Sequence, residues 1–224
     1  MSYIKTLSPA AFKNMNAIID AAPNMGVTNE MSIAAVLAVV SKESGFMPQT
    51  EQGYAGTSIA RLRKIFRGAL KDTKDSDLER IKQKDEAFFN LVYGGRFGNG
   101  RFEGYKYRGR GYNQLTFKNN YARMAAITGD DLVNDPDKAN EPLVAGRILF
   151  AYLMRRFAMA KPIVQARYGA GSINDFSNLI VAANAIYNAN AGFDKDTRNT
   201  QNDGYALTMG RVTEFYQYVK DYGR

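Results

Sequence analysis

YKYRGRGYNQLTFKNNY, residues 105–121, sets Tyr105, Tyr107, Tyr112 and Tyr121 among Arg108, Arg110, Gln114, Thr116, Asn119 and Asn120. Gly109 and Gly111 let the backbone turn tightly between them. Flat rings beside forked guanidinium donors and side-chain amides suit a sugar or a nucleotide chain. The run closes a wider glycine-rich region holding Gly94, Gly95, Gly98, Gly100 and Gly104. That region is too rich in glycine to be helical, and so long an irregular stretch reads as a functional loop with at most a short β-hairpin.

On either side the pattern is helical. Ser8-Pro9 reads as an N-cap followed by proline at the first helical position, with Phe12, Met15, Ile18 and Ile19 on one face and a stop across residues 23–26. A second, Ala-rich apolar helix is expected from Thr28 or Asn29 through Met31, Ile33, Leu37, Val40 and Ser41, ending near Gly45 with Glu43 at its C-terminal end. Residues 58–89 alternate charges around Ile59, Leu62, Ile65, Phe66, Leu70, Leu78 and Ile81, which predicts one or two exposed amphipathic helices. Helix resumes after Thr116 toward Met124, and residues 143–159, 173–187 and 205–222 complete the set. With no internal repeat and no low-complexity linker, the chain is expected to be one mainly α domain over residues 1–224.

Composition narrows the chemistry. The 224 residues include no cysteine and no histidine, which excludes thiolate zinc sites, Cys-His pairs, Ser-His-Asp triads and histidine bases. Any proton transfer falls to Asp, Glu, Lys or Tyr, and a carboxylate pair is the usual solution without histidine. No cofactor and no metal are expected. A net charge of +8 implies attraction to polyanions: nucleic acid, anionic membrane or an anionic wall polymer. No apolar run approaches membrane-span length, so no stable insertion is expected. The first residues, carrying Asn14, Asn16 and Asp20, make a poor secretory leader.

Lys42-Glu43-Ser44-Gly45-Phe46 puts a carboxylate at the end of an apolar helix, where low polarity and the unsatisfied terminal carbonyls both disfavour its charged form. That is what a general acid needs. Together, KESGF at residues 42–46, EQGYA at residues 51–55, YGGRFGN at residues 93–99 and YRGRGYNQLTFKNNY at residues 107–121 resemble glycoside hydrolase family 19, most closely its phage endolysin branch. The likeness covers residues 33–121 well and the remainder loosely.

The resemblance implies a lysozyme-like α-helical glycoside hydrolase domain with a glycine-rich active-site loop and no separate wall-binding domain. It makes Glu43 the general acid. The family is inverting, so a second group activates water on the opposite face of the sugar, with the carboxylates about 6.5–9.5 Å apart. Glu51, ahead of Tyr54-Ala55, is favoured for this second role by its place in the pattern. Glu103 is the other candidate, an acid amid Arg96, Arg101, Lys106, Arg108, Arg110, Lys118 and Arg123 that equally suits a structural ion pair. Thr116 matches the hydroxyl residue that helps hold the attacking water. Tyr54, Tyr107, Arg110, Gln114 and Asn120 fall on sugar-lining positions, although Arg110 also suits a tie from the loop to a core carboxylate, and Tyr121 reads as core. Residues 186–192, IYNANAG, depart from the family's isoleucine-asparagine-glycine-glycine element, leaving Asn188 as a substrate contact on a loop of altered shape.

The function implied is a peptidoglycan hydrolase, a muramidase acting during host lysis. It would be a monomer made in the bacterial cytoplasm, with glycan strands in the periplasm as its partner. A chitinase is the nearest alternative. A basic nucleic-acid-binding protein is another, which the ordered Gln-Leu-Thr and Asn-Tyr residues disfavour. A non-catalytic phage wall-binding protein is the third.

Overall fold

A computed structural model of the protein describes residues 2–191, 193 and 203–223. These residues form ten α-helices and two short 3-10 segments, Ile4–Thr6 and Pro136–Asn140, so the fold is mainly α as expected. Among the described residues no helix is long and apolar enough to cross a membrane. The chain divides into two compact units, Met1–Pro48 with Glu141–Arg224, and Gln49–Asn140.

The first unit is organised around a central helix. Helix α1 (Pro9–Asn24) starts as predicted, with Ser8 Oγ accepting from the Ala11 amide at 3.2 Å. Helix α2 (Glu30–Glu43) is capped by Asn29, whose side chain accepts from the Ser32 amide at 3.1 Å. Every residue from Ser32 to Ser41 is buried, because a helix apolar all round has no face to offer water. Helices α9 (Leu179–Ala191) and α10 (Asp203–Asp221) pack on α2, while α7 (Pro142–Met159) packs on α1. That last crossing is close: a Cβ added at Gly146 would lie 2.8 Å from the Ala21 Cβ.

The second unit carries α3 (Ile59–Ile65), α4 (Asp75–Ile81), α5 (Asp85–Tyr93) and α6 (Lys118–Thr128). Where one or two helices were predicted over residues 58–89, the chain makes three, broken at Phe66 and again at Lys82. Leu62, Phe66, Leu70, Leu78, Phe88, Phe89 and Val92 form its core, with Tyr54, Tyr93 and Tyr105 packed against them. Within the expectation of at most a short hairpin, the described residues make one antiparallel bridge, between Arg110 and Leu115. In the first unit, α8 (Lys161–Tyr168) was not foreseen, and α9 starts later than predicted. Asn178 Oδ1 accepts from the Ile180 and Val181 amides and so fixes that start.

Candidate active site

Glu51 is the most fully organised carboxylate in the second unit. Its Oε1 accepts from the Tyr54 hydroxyl at 2.9 Å and the Tyr93 hydroxyl at 2.9 Å. Its Oε2 accepts from the Gly109 amide at 3.1 Å, with a longer contact to Tyr93 at 3.2 Å. The Glu51 amide in turn donates to the Gly109 carbonyl at 2.8 Å, so side chain and backbone are clamped to the same glycine. A carboxylate offers about four lone-pair positions. Three donors serve the carboxylate, with that of Tyr93 shared between the two oxygens, which leaves one such position for a water.

The aromatic core sets this geometry. The Tyr54 ring lies 5.2 Å from both Phe66 and Phe88, and Tyr93 stacks on Phe89 at 5.9 Å. Burial, then the charge of Glu51 and the hydrogen bond to it, push both tyrosine hydroxyls far above the ordinary tyrosine range. Both therefore stay protonated and act as donors. Glycine at 109 is a matter of space: an added Cβ would sit 2.7 Å from Gln114 Oε1 and 3.2 Å from Glu51 Oε2.

The same close approach brings Gln114 beside Glu51. Gln114 has φ of 51°, a left-handed conformation, and its Nε2 donates to the Gln49 carbonyl at 2.9 Å. Thr116 Oγ1 donates to the Gln114 carbonyl at 2.8 Å, leaving its oxygen free to accept, and Asn120 Nδ2 donates to the Thr116 carbonyl at 2.8 Å. Asn140 ties the outer loop down: it donates to Thr50 Oγ1 at 2.6 Å and accepts from the Gly111 amide at 3.0 Å. Among the described residues, no three acidic side chains gather where they could hold a metal ion.

In the first unit, Glu43 ends α2, and Gly45, with φ of 57°, turns the chain away. The apolar surroundings expected of this carboxylate are not there. Its side chain is 41% exposed and ion-paired with Lys42 at 2.8 Å. The hydrogen bond to Glu43 raises the Lys42 ammonium above its ordinary value.

No family model matches the chain. Over 132 residues it is 34% identical to a protein of Haemophilus influenzae described as a glycosyl hydrolase family 19 domain-containing protein. The chain is similar to glycoside hydrolase family 19. The alignment takes in 55% of this chain and 62% of that relative, so the chain spans less than two thirds of the relative's length.

Several positions that the family 19 resemblance assigned to sugar binding are occupied otherwise. Tyr107 is 1% exposed and its hydroxyl donates to the Val133 carbonyl at 2.9 Å, so it is a core residue and presents nothing to a sugar. Arg110 is 3% exposed; it pairs with Asp137 at 2.7 Å and donates to the Lys106 and Arg108 carbonyls and the Tyr121 hydroxyl. Of its two readings, the loop tie is the one observed, with the difference that its carboxylate, Asp137, is 76% exposed and not in the core. Tyr121 is core, and burial pushes its hydroxyl up to about 12. Glu103 is held by the Gly100 amide at 2.7 Å and by Lys118 at 2.9 Å, which together keep its carboxyl below the usual range. It is the structural ion pair rather than a free base.

Asn188 is buried on α9 with Nδ2 donating to the Asn184 carbonyl; among the described residues its Oδ1 has no partner. Gly192, at the end of that departing element, lies outside the described residues. Tyr93 and Asn140 were missed as site residues. Tyr93 stood at the head of the YGGRFGN motif, the one signal that could have found it. For Asn140 the sequence carried none.

Proposed function

We propose that the chain is an inverting peptidoglycan hydrolase cleaving the β-1,4 bond between N-acetylmuramic acid and N-acetylglucosamine. The observation that carries this reading is the clamped Glu51, an acceptor fixed by Tyr54, Tyr93 and Gly109 with one oxygen position open. The likeness to a family 19 domain protein supports it. In this reading Glu51 takes a proton from water as that water attacks the anomeric carbon of the muramic acid. Thr116 Oγ1, its proton committed to the Gln114 carbonyl, accepts a hydrogen bond from the water. Glu43 delivers its proton to the leaving O4 of N-acetylglucosamine, which requires substrate to displace Lys42 and solvent from it. Exposed Gln114 meets the sugar. The products are a muramic acid reducing end of inverted configuration and a new 4-hydroxyl on the N-acetylglucosamine.

Work on a bacterial wall as a phage-type endolysin follows from this reading, and the +8 charge suits a wall bearing anionic peptides. Clearing of permeabilised Gram-negative cells, with mass spectrometry of the released muropeptides, tests it. Glu51→Gln and Glu43→Gln should each lower the rate by roughly 100-fold. Full activity in Glu51→Gln sinks the role of Glu51, and release of peptides with uncut glycan sinks the glycosidase reading. Preference for a chitin oligomer over muropeptides selects the chitinase.

A further inference from the structure

A second feature of the Gln49–Asn140 unit lies next to Glu51 and is unused by the chemistry above. A cleft of about 570 Å³ opens between the end of α3 and the glycine-rich loop, within the range of about 300–1,000 Å³ typical of ligand sites. Lys64, Arg67 and Arg96 line it together with the rings of Phe66, Tyr93 and Phe117, and no carboxylate is among its lining residues. Among the described residues none of the three cations has an acidic partner within salt-bridge distance. Arg96 gives one donor to the Val92 carbonyl at 2.9 Å and holds its guanidinium 5.8 Å from the Phe97 ring and 5.9 Å from that of Phe117. The rest of its fork is open for an anion. Phe97 and Phe117 have φ of 45° and 73°, a backbone cost that packing must sustain and that concentrates at functional sites.

Tyr93 joins this cleft to the candidate active site: its ring is part of the wall while its hydroxyl donates to Glu51. We infer that the cleft binds the carboxylates of a short acidic peptide branching from the glycan. This rests on the peptidoglycan reading and makes the stem peptide, beyond the sugar backbone, part of what is recognised. Unpaired cations beside apolar rings match a peptide whose charges are discrete carboxylates and whose remainder includes methyl groups. A nucleic acid fits less well, since it carries a charge at every residue and would bring several of them close to the Glu51 carboxylate. Chitin has no charge to offer.

The test compares turnover of intact peptidoglycan with the same glycan stripped of its stems by an amidase, for wild type and for Lys64→Ala/Arg67→Ala. Both substituted residues are exposed, so the fold should persist, and a melting curve checks it. Wild type should favour the intact glycan, and the ratio of the two rates should fall about tenfold in the variant, as loss of two exposed ion pairs allows. An unchanged ratio overturns the cleft proposal and leaves the muramidase reading standing. A separate titration of the free stem peptide, read by NMR shifts at Lys64, Arg67 and Arg96, does not depend on turnover. Saturable shifts lost in the variant support the cleft even if wild type cleaves neither glycan, the result that defeats the muramidase reading alone. Absent shifts, or displacement of the peptide by an oligothymidylate that binds more tightly, overturn it.

Discussion

Tyr93→Phe removes one oxygen and leaves the ring in place. The phenyl still stacks on Phe89 at 5.9 Å and meets Phe117 edge-on at 5.1 Å, so packing is conserved. What disappears is the donor to Glu51 at 2.9 and 3.2 Å. A hydrogen bond to a charged group contributes about 1.5–3 kcal/mol. Because Tyr93 is half-buried and water can enter the vacated place, the lower end applies, about 1.5 kcal/mol, or roughly tenfold in rate if the bond serves to aim the carboxylate. Steady-state hydrolysis of a soluble muropeptide should show that loss in kcat with KM little changed. Tyr54→Phe should behave alike, since its hydroxyl donates to the same oxygen. The double variant should depart from additivity because both donors orient one group. If Tyr93→Phe and Tyr54→Phe each keep kcat within twofold while Glu51→Gln is inactive, the clamp does not position Glu51 and the reasoning fails.

Arg110→Ala should destabilise the protein by about 1–3 kcal/mol, read as a lower denaturant midpoint. It strands the Lys106 carbonyl and takes one donor each from the Arg108 carbonyl and the Tyr121 hydroxyl, which keep their mutual bond at 2.8 Å, while Asp137, 76% exposed, is resolvated by water at little cost; an unchanged midpoint with raised KM would restore Arg110 to the substrate. Glu103, whose carboxyl the Gly100 amide and Lys118 hold below its ordinary 4.5, should contribute stability that is fully present above that value and lost as pH falls through the depressed one. The melting-temperature difference between wild type and Glu103→Gln should therefore shrink in acid, and a difference flat from pH 6 to pH 3 would contradict the ion pair.

The helices were legible because their signals are local. Ser8-Pro9 and Asn29 announce their own caps, and apolar spacing through residues 33–40 marks a helix that ends up buried on every side. The late start of α9 was not legible, since Ile173 belongs to the helical apolar pattern yet caps nothing, and the choice fell to the Asn178 side chain. At the site, Glu51 could be singled out from its motif. Which residues hold it could not, because Tyr93 and Gly109 stand 42 and 58 positions away. Tyr107 and Arg110 share the Tyr-Arg-Gly run with residues that reach the surface, and nothing local distinguishes a ring or fork turned inward from one turned outward.

The sequence by itself determined a mainly helical chain with a glycine-rich loop and, lacking histidine and cysteine, one whose acid-base chemistry falls to Asp, Glu, Lys or Tyr, with a carboxylate pair the usual solution. Composition and short-range periodicity suffice for that. Only the tertiary structure decided which carboxylate is clamped, which arginine is spent on the loop and where unpaired cations face a cleft. Those outcomes depend on partners brought together by burial of the aromatic core, and burial couples residues that no spacing along the chain relates.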